Sequence, residues 1–157
     1  MKKFFSFILL IVLMSCNKSA TTSEKSLNAE SQTVISEFMA LVNNHRKSIG
    51  LRSMTHVDQM ALLAQSHSDD MAAGTVPFGH DGFSTRCADA RTAMNGGNLC
   101  AENVAEGQKT AQAVFNSWMN SPTHRANIES ARITHCGLGF ALSSSGSLYW
   151  TNLFLEI

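Results

Sequence analysis

Apolar positions divide the chain into one unbroken run and a series of spaced patterns. The run is Phe4 to Met14, interrupted only by Ser6 and preceded by Lys2 and Lys3. A membrane-spanning helix needs about 20 apolar residues. This stretch is too short and reads as the basic start and apolar core of a secretory signal peptide. The next stretch, to Gln32, is polar, rich in Ser, Thr, Asn and Ala, and has no apolar period. It reads as a flexible tether.

Periodicity begins after that. Ile35, Phe38, Met39, Val42 and Ile49 recur at helical spacing and predict a helix over 33–49, closed by Gly50. Val57, Met60, Ala61, Ala64 and Met71 predict a second helix over 57–73, followed by Gly74. Residues 77–82 are turn-rich, with a Pro and two Gly around His80. A weaker helix over 83–94, a loop over 95–98 and a short extended piece over 99–105 follow. A clear helix over 110–120 turns Ala111, Ala113, Val114 and Trp118 inward. Ser121 and Pro122 have the chemistry of an N-cap and first helical position. They place His124 at the third position of a short helix reaching about Ile128, with the Ser121 hydroxyl expected to be taken up by backbone N–H groups.

Two strands finish the chain, 133–142 and 147–155, joined by a Ser-rich hairpin loop. Both are apolar on both faces: Tyr149, Leu153 and Leu155 alternate with Leu148, Trp150 and Phe154. Such a sheet must be covered on both sides. Gly137 and Gly139 mark a close approach of backbone or ligand. Helices first and strands last give an α+β fold, a three-layer α/β/α sandwich around a small antiparallel central sheet.

Composition narrows the function classes. The 157 residues carry 12 Lys+Arg and 12 Asp+Glu, for a formal net charge of zero. No basic face of the kind a nucleic-acid binder needs is implied. Leu13-Met14-Ser15-Cys16 resembles a bacterial lipobox, which would make Cys16 a lipidated mature N-terminus; a plain signal peptide cleaved nearby is the alternative. The organisation expected is a signal peptide over 1–15, a lipidated Cys and tether over 16–32 and one domain over 33–157. The protein is then an exported monomer, held by its lipid on the periplasmic or surface face of a bacterial envelope membrane.

Three of the four Cys lie in the domain: Cys87, Cys100 and Cys136. An exported protein can form disulfides, and an odd number leaves one thiol over. Cys87 and Cys100 flank a Gly-containing loop and are the favoured pair. Cys136, at the start of a strand, reads as a buried structural thiol, with a catalytic thiol as the alternative.

Candidate chemistry rests on His80, Glu102 and His124, each in a special local setting. The start of a helix favours the neutral imidazole of His124, the form that binds metal or acts as a base. Two His and a carboxylate would suit Zn, with His80 and His124 as ligands and Glu102 as a ligand or general base for a bound water. His67 reads as a surface or half-buried histidine outside the cleft, Asn103 as a backbone-bonding side chain, Arg125 as the partner of an acidic neighbour or a carbonyl, and Asn127 as a group serving the end of its helix. Ser121 as a nucleophile with His124 as base is a further alternative.

Several segments resemble the CAP superfamily, also called SCP-like, which groups cysteine-rich secretory proteins, antigen 5 and plant pathogenesis-related proteins. They are Asn44-His45-Arg46 with Gly50-Leu51, the run Ala64 to Met71, Phe78-Gly79-His80-Asp81-Gly82-Phe83, Ala101-Glu102-Asn103-Val104-Ala105, Trp118 with Ser121 to Ile128, Cys136-Gly137-Leu138-Gly139, and Tyr149 to Phe154. The match covers about 34–157 in order. The resemblance implies an α/β/α sandwich with a central cleft of two His and, in many members, two Glu. His80, Glu102 and His124 match three of these positions. The second Glu is expected where this chain has Ser121, and Glu106 is a candidate substitute if its segment is helical. The cysteine-rich tail of animal members is absent, so channel or toxin roles do not transfer. Three functions follow: a non-catalytic module whose cleft binds a small ligand, metal or envelope lipid; a metal-dependent hydrolase; and a structural envelope protein. The binding module is favoured.

Overall fold

A computed structural model describes the backbone from residue 19 to 157 and the side chains from residue 29. The signal peptide and Cys16 lie outside the described residues. The first helix, α1 (Ser19–Ser48), starts well before the expected 33 and takes in most of the stretch read as a flexible tether. No Gly or Pro interrupts that stretch, and Glu24, Lys25, Leu27, Ala29, Glu30 and Gln32 are all good helix formers. Once the amphipathic part has nucleated, extension costs little per residue. Among the described residues no helix is long and apolar enough to cross a membrane.

The folded unit, Thr33–Ile157, adds β1 (Thr55–His56), α2 (Asp58–Ala73), α3 (Phe83–Ala93), β2 (Cys100–Glu106), α4 (Ala111–Asn120), α5 (Pro122–Ile128), β3 (His135–Leu142) and β4 (Leu148–Leu155). The sheet order is β1-β3-β4-β2. The β2–β4 and β3–β4 pairs are antiparallel. The two-residue edge strand β1 pairs parallel to β3, an addition to the expected antiparallel sheet.

Alternation along β4 decides which face receives which helices. Trp150 and Phe154, with Cys136 and Leu138 of β3, pack against Phe38 and Val42 of α1, Trp118 of α4 and Ile128 of α5. Leu153 and Leu155 point the other way and pack against Met60 of α2 and Cys87 and Ala90 of α3. The result is the expected three-layer sandwich. Trp118 stacks edge-on to Phe38 at 5.5 Å and donates its Nε1 proton to the Val104 carbonyl at 3.1 Å. Its polar tip is thereby satisfied inside the core.

Gly137 and Gly139 lie on the α2 side of β3. A Cβ on either would run into the α2 backbone, at Met60 and Ala61 or at Ala64 and Gln65. The close approach is therefore helix to strand. Ser68 of α2 completes the seam, donating to the Thr151 hydroxyl at 2.9 Å.

Arg46, in the last turn of α1, is 1% exposed. Its guanidinium donates to the carbonyls of Arg52 (2.8 Å), Ile128 (2.7 Å), Ser130 (2.9 Å) and Ile133 (3.1 Å). It ties the end of α1 to the segment between α5 and β3. Burial pulls its pKa below the usual guanidinium value, opposed by the nearby Cys136.

Ser121 departs from expectation. Its backbone is extended and its carbonyl accepts from Arg125 N, but its hydroxyl caps no backbone N–H and lies 3.3 Å from Thr123 Oγ1. Pro122 at the first helical position, whose missing N–H needs no partner, starts α5 without a side-chain cap.

Candidate functional site

The loop between α2 and α3 carries His80. His67, near the middle of α2, is buried rather than half-exposed, and its Nε2 meets the Gly79 carbonyl at 2.8 Å. The other side of the loop is closed by Phe83 N–H donating to the His80 carbonyl at 3.0 Å. Gly82 caps α3 with φ 74, a left-handed conformation glycine adopts without strain. These contacts hold His80 over the edge strand β2.

Glu102 points from β2 toward the same place. Its side chain is 1% exposed, whereas His80 is 50% exposed. His80 Nδ1 lies 2.9 Å from Glu102 Oε1. Arg86 of α3 donates from Nε to Oε2 at 2.7 Å and from Nη2 to Oε1 at 2.8 Å. Arg86 also donates from Nη1 to the Asp81 carbonyl at 2.6 Å. A buried carboxylate needs a counter-charge, and this one has it in bidentate form. Both oxygens are engaged, so the geometry suits Glu102 to orienting His80 rather than taking a proton from bound water. Arg86 escaped the sequence reading; asking which cation neutralises a Glu on an otherwise apolar strand would have pointed to it.

A pocket of about 430 Å³ opens beside this pair, lined by His80, Phe83, Cys100, Ala101 and Glu102. Cys100 is disulfide-bonded to Cys87, as expected. Arg86 and Cys87 are consecutive on α3, while Cys100 and Glu102 lie on one face of β2. An ion pair and a disulfide therefore join the same helix to the same strand beside the pocket.

His124 stands apart from Glu102. Its carbonyl accepts from Asn103 Nδ2 at 3.0 Å, and Asn103 Oδ1 accepts from Asn127 Nδ2 at 2.8 Å. Asn103 does bond backbone, as expected, while Asn127 serves Asn103 rather than its own helix end. The His124 imidazole has its pKa lowered by burial and, secondarily, by the charge of His80. The two rings thus sense one another electrostatically.

Among the described residues no group of three or more His, Cys, Asp and Glu side chains is placed to hold a metal ion. The donor set His80, Glu102 and His124 fits Zn poorly, because Arg86 occupies the carboxylate. Glu106 does not repair this. Its segment is a strand, so it lies about 13 Å along β2 from Glu102, is exposed, and accepts from Tyr149 OH at 2.9 Å. The Ser121 hydroxyl meets Thr123 rather than the His124 ring, which removes the nucleophile alternative.

Cys136 is inert. It is fully buried, donates to Met39 Sδ at 3.5 Å, and burial pushes its thiol up to about 12, with the Arg46 charge pulling the other way. His135 bonds Thr134 Oγ1 instead of the thiol.

The family model described as "CAP: Cysteine-rich secretory protein family" matches residues 39–154. The chain is 30% identical to the uncharacterized protein YkwD of Bacillus subtilis over 139 residues, 87% of this chain and 51% of that one. It thus spans about half the length of the curated relative it matches. Among solved structures, an extracellular protein containing an SCP domain from Bacillus anthracis superposes with a TM-score of 0.65 at 26% identity, over 78% of this chain and 40% of the other. An outer surface protein from Borrelia burgdorferi superposes with a TM-score of 0.69 at 18% identity, over 80% of this chain and 94% of the other. That second likeness shows the fold alone.

Proposed function

Because the chain belongs to the cysteine-rich secretory protein (CAP) family, we propose that it is an exported binding module, held to a membrane by a lipid on Cys16, whose pocket at His80 takes a small ligand. The observation that carries this is the half-exposed His80 imidazole, braced by the buried Glu102 and Arg86, at the mouth of a pocket with Phe83 and Ala101 in its wall. One polar group fixed in a mostly apolar recess is the common form of a small-molecule site. The ligand is a small molecule or envelope lipid with an apolar part, and no catalytic step is required. Hydrolysis is disfavoured because Glu102 is engaged by Arg86 and no three-donor metal group is present among the described residues. Export is supported by the apolar run before Cys16 and by the relative described as extracellular. The protein acts as a monomer and binds no nucleic acid.

Binding is tested by following backbone amide shifts of the ¹⁵N-labelled protein as short-chain phosphatidylethanolamine or ZnCl2 is added. Lipid shifts centred on His80, Phe83 and Ala101, lost in His80→Ala, are expected. Shifts centred elsewhere would refute the site. Zn shifts that vanish in His80→Ala and in His124→Ala alike would favour a two-His metal site instead. The anchor is tested by labelling cells with a palmitate analogue, which should mark the wild type and not Cys16→Ala.

A further inference from the structure

We propose that Arg86 is a positioning residue which, through Glu102, fixes the His80 ring with its proton on Nδ1 and its Nε2 lone pair available to the pocket. The pocket then selects ligands that donate a hydrogen bond, such as hydroxyls and amines. The ligand part of this inference rests on the pocket being a binding site; the positioning part does not.

The geometry is built from one side chain. The Arg86 fork grips both Glu102 oxygens, at 2.7 Å and 2.8 Å, and so fixes the plane of the carboxylate. Its third nitrogen donates to the Asp81 carbonyl at 2.6 Å, in the turn next to His80. Arg86 therefore holds the acceptor and the loop that carries the ring. With Glu102 only 1% exposed, solvent cannot replace these bonds.

An ionised carboxylate accepts hydrogen bonds and cannot donate. The nitrogen 2.9 Å from Glu102 Oε1 must then be the protonated one, and it is Nδ1. In a neutral imidazole the other nitrogen is an acceptor. The ring is 50% exposed and forms part of the pocket wall, so that lone pair is open to a ligand. A planar two-donor fork is a property of Arg that Lys lacks. Without it nothing aims the Glu102 oxygens at Nδ1, and the ring relaxes toward the Nε2–H form that an unconstrained histidine side chain favours. The pocket would then present a donor.

The ring tautomer is read from ¹⁵N shifts and two-bond couplings of His80 in the ligand-free protein, at a pH where the ring is neutral. The wild type should show the Nδ1–H form, Arg86→Gln should lose it, and Arg86→Lys should restore it in part. An Nε2–H form in the wild type overturns the proposal whatever the variants do, as does an unchanged tautomer in folded Arg86→Gln. If Arg86→Gln fails to fold, the wild type and Arg86→Lys carry the test. For the ligand class, 1-hexanol should shift His80 while methyl pentyl ether, of similar shape but with no donor, should not. Equal shifts from the two probes overturn the selection. Absence of shifts from both, with the Nδ1–H form intact, overturns the selection by removing the pocket reading while leaving the role of Arg86 standing.

Discussion

Glu102 and Asn103 are consecutive in the chain and stand back to back across the sheet. Glu102 reaches His80 and Arg86 on the α3 side, while Asn103 reaches the His124 carbonyl and Asn127 on the α5 side. A period of two makes this unavoidable on a strand. Both residues of the Glu-Asn pair have work: Glu102 braces the His80 ring, and Asn103 holds the backbone that carries His124.

Arg46 offers the sharpest test of what holds the layers together. Its four carbonyl partners come from two separate segments, Arg52 after α1 and the stretch 128–133, and no carboxylate neutralises it among its hydrogen-bond partners. Arg46→Lys keeps the charge but loses the planar set of donors. Arg46→Lys is expected to cost about 2–3 kcal/mol, the scale of losing charge-assisted hydrogen bonds to buried carbonyls. Urea unfolding followed by circular dichroism measures this; a loss under about 1 kcal/mol would show the network to be dispensable.

The Cys87–Cys100 disulfide closes a loop with a sequence separation of 13. Loop-closure entropy for that length is about 3 kcal/mol, so reduction should lower the melting temperature by roughly 10 °C. Cys136 should remain unlabelled by iodoacetamide in the native protein at pH 8, since its thiol is buried and pushed up to about 12. Mass spectrometry of the labelled peptides reads both states, and rapid native labelling at Cys136 would contradict its placement.

Stability should fall with acid in a definite window. His124 and His56 are both held below the ordinary imidazole value of 6.5, each chiefly by burial, with Asp58 opposing the effect at His56. The unfolded chain then takes up these protons first as pH falls. The stability they contribute is complete above pH 6.5 and is lost as the pH drops through their folded values. Glu156, held low by its bond to Arg132, adds loss of the same sign below its ordinary value of 4.5. Melting temperature should be flat from pH 7 to 8 and decline from 6.5 to 5, and the His56→Gln, His124→Gln double variant should decline less. A wild-type protein that stabilises on acidification would disprove the assignment.

Asn152 is fully buried in β4, directly opposite Asn103, yet neither amide atom has a hydrogen-bond partner. Replacing an unsatisfied polar group with an apolar one of the same shape is neutral or stabilising. Asn152→Leu should therefore leave the unfolding free energy unchanged or raise it by about 1 kcal/mol. A clear loss would show that an internal water satisfies the amide.

Periodicity carried most of the fold. Val57, Met60 and Ala64 located α2, the Trp118 pattern located α4, and the alternation of Leu148 to Leu155 gave a sheet covered on both faces. Local chemistry was less reliable. The Ser121 hydroxyl is not a cap, because Pro122 starts the helix by itself. The stretch before Thr33 is helical from Ser19, because weak propensities extend a helix already formed. At the site, the resemblance to CAP motifs, rather than spacing alone, indicated His80, Glu102 and His124, but the pairing of His80 with Glu102 was invisible along the chain. Arg86 lies on a helix with little apolar period, and His67 looked superficial between two serines. Their partners, Glu102 and Gly79, are fixed by tertiary geometry.

The strand order carries a consequence for the timing of assembly. The two central strands, β3 and β4, are the last elements of the chain, while the edge strands β1 and β2 precede them. β1 pairs with β3 and β2 with β4, so each edge strand depends on a partner far later in the chain. Without β3 and β4, both β1 and β2 have every sheet partner missing. Closure of the sheet therefore waits on β3 and β4, and a truncation that removes them leaves both edge strands unpaired.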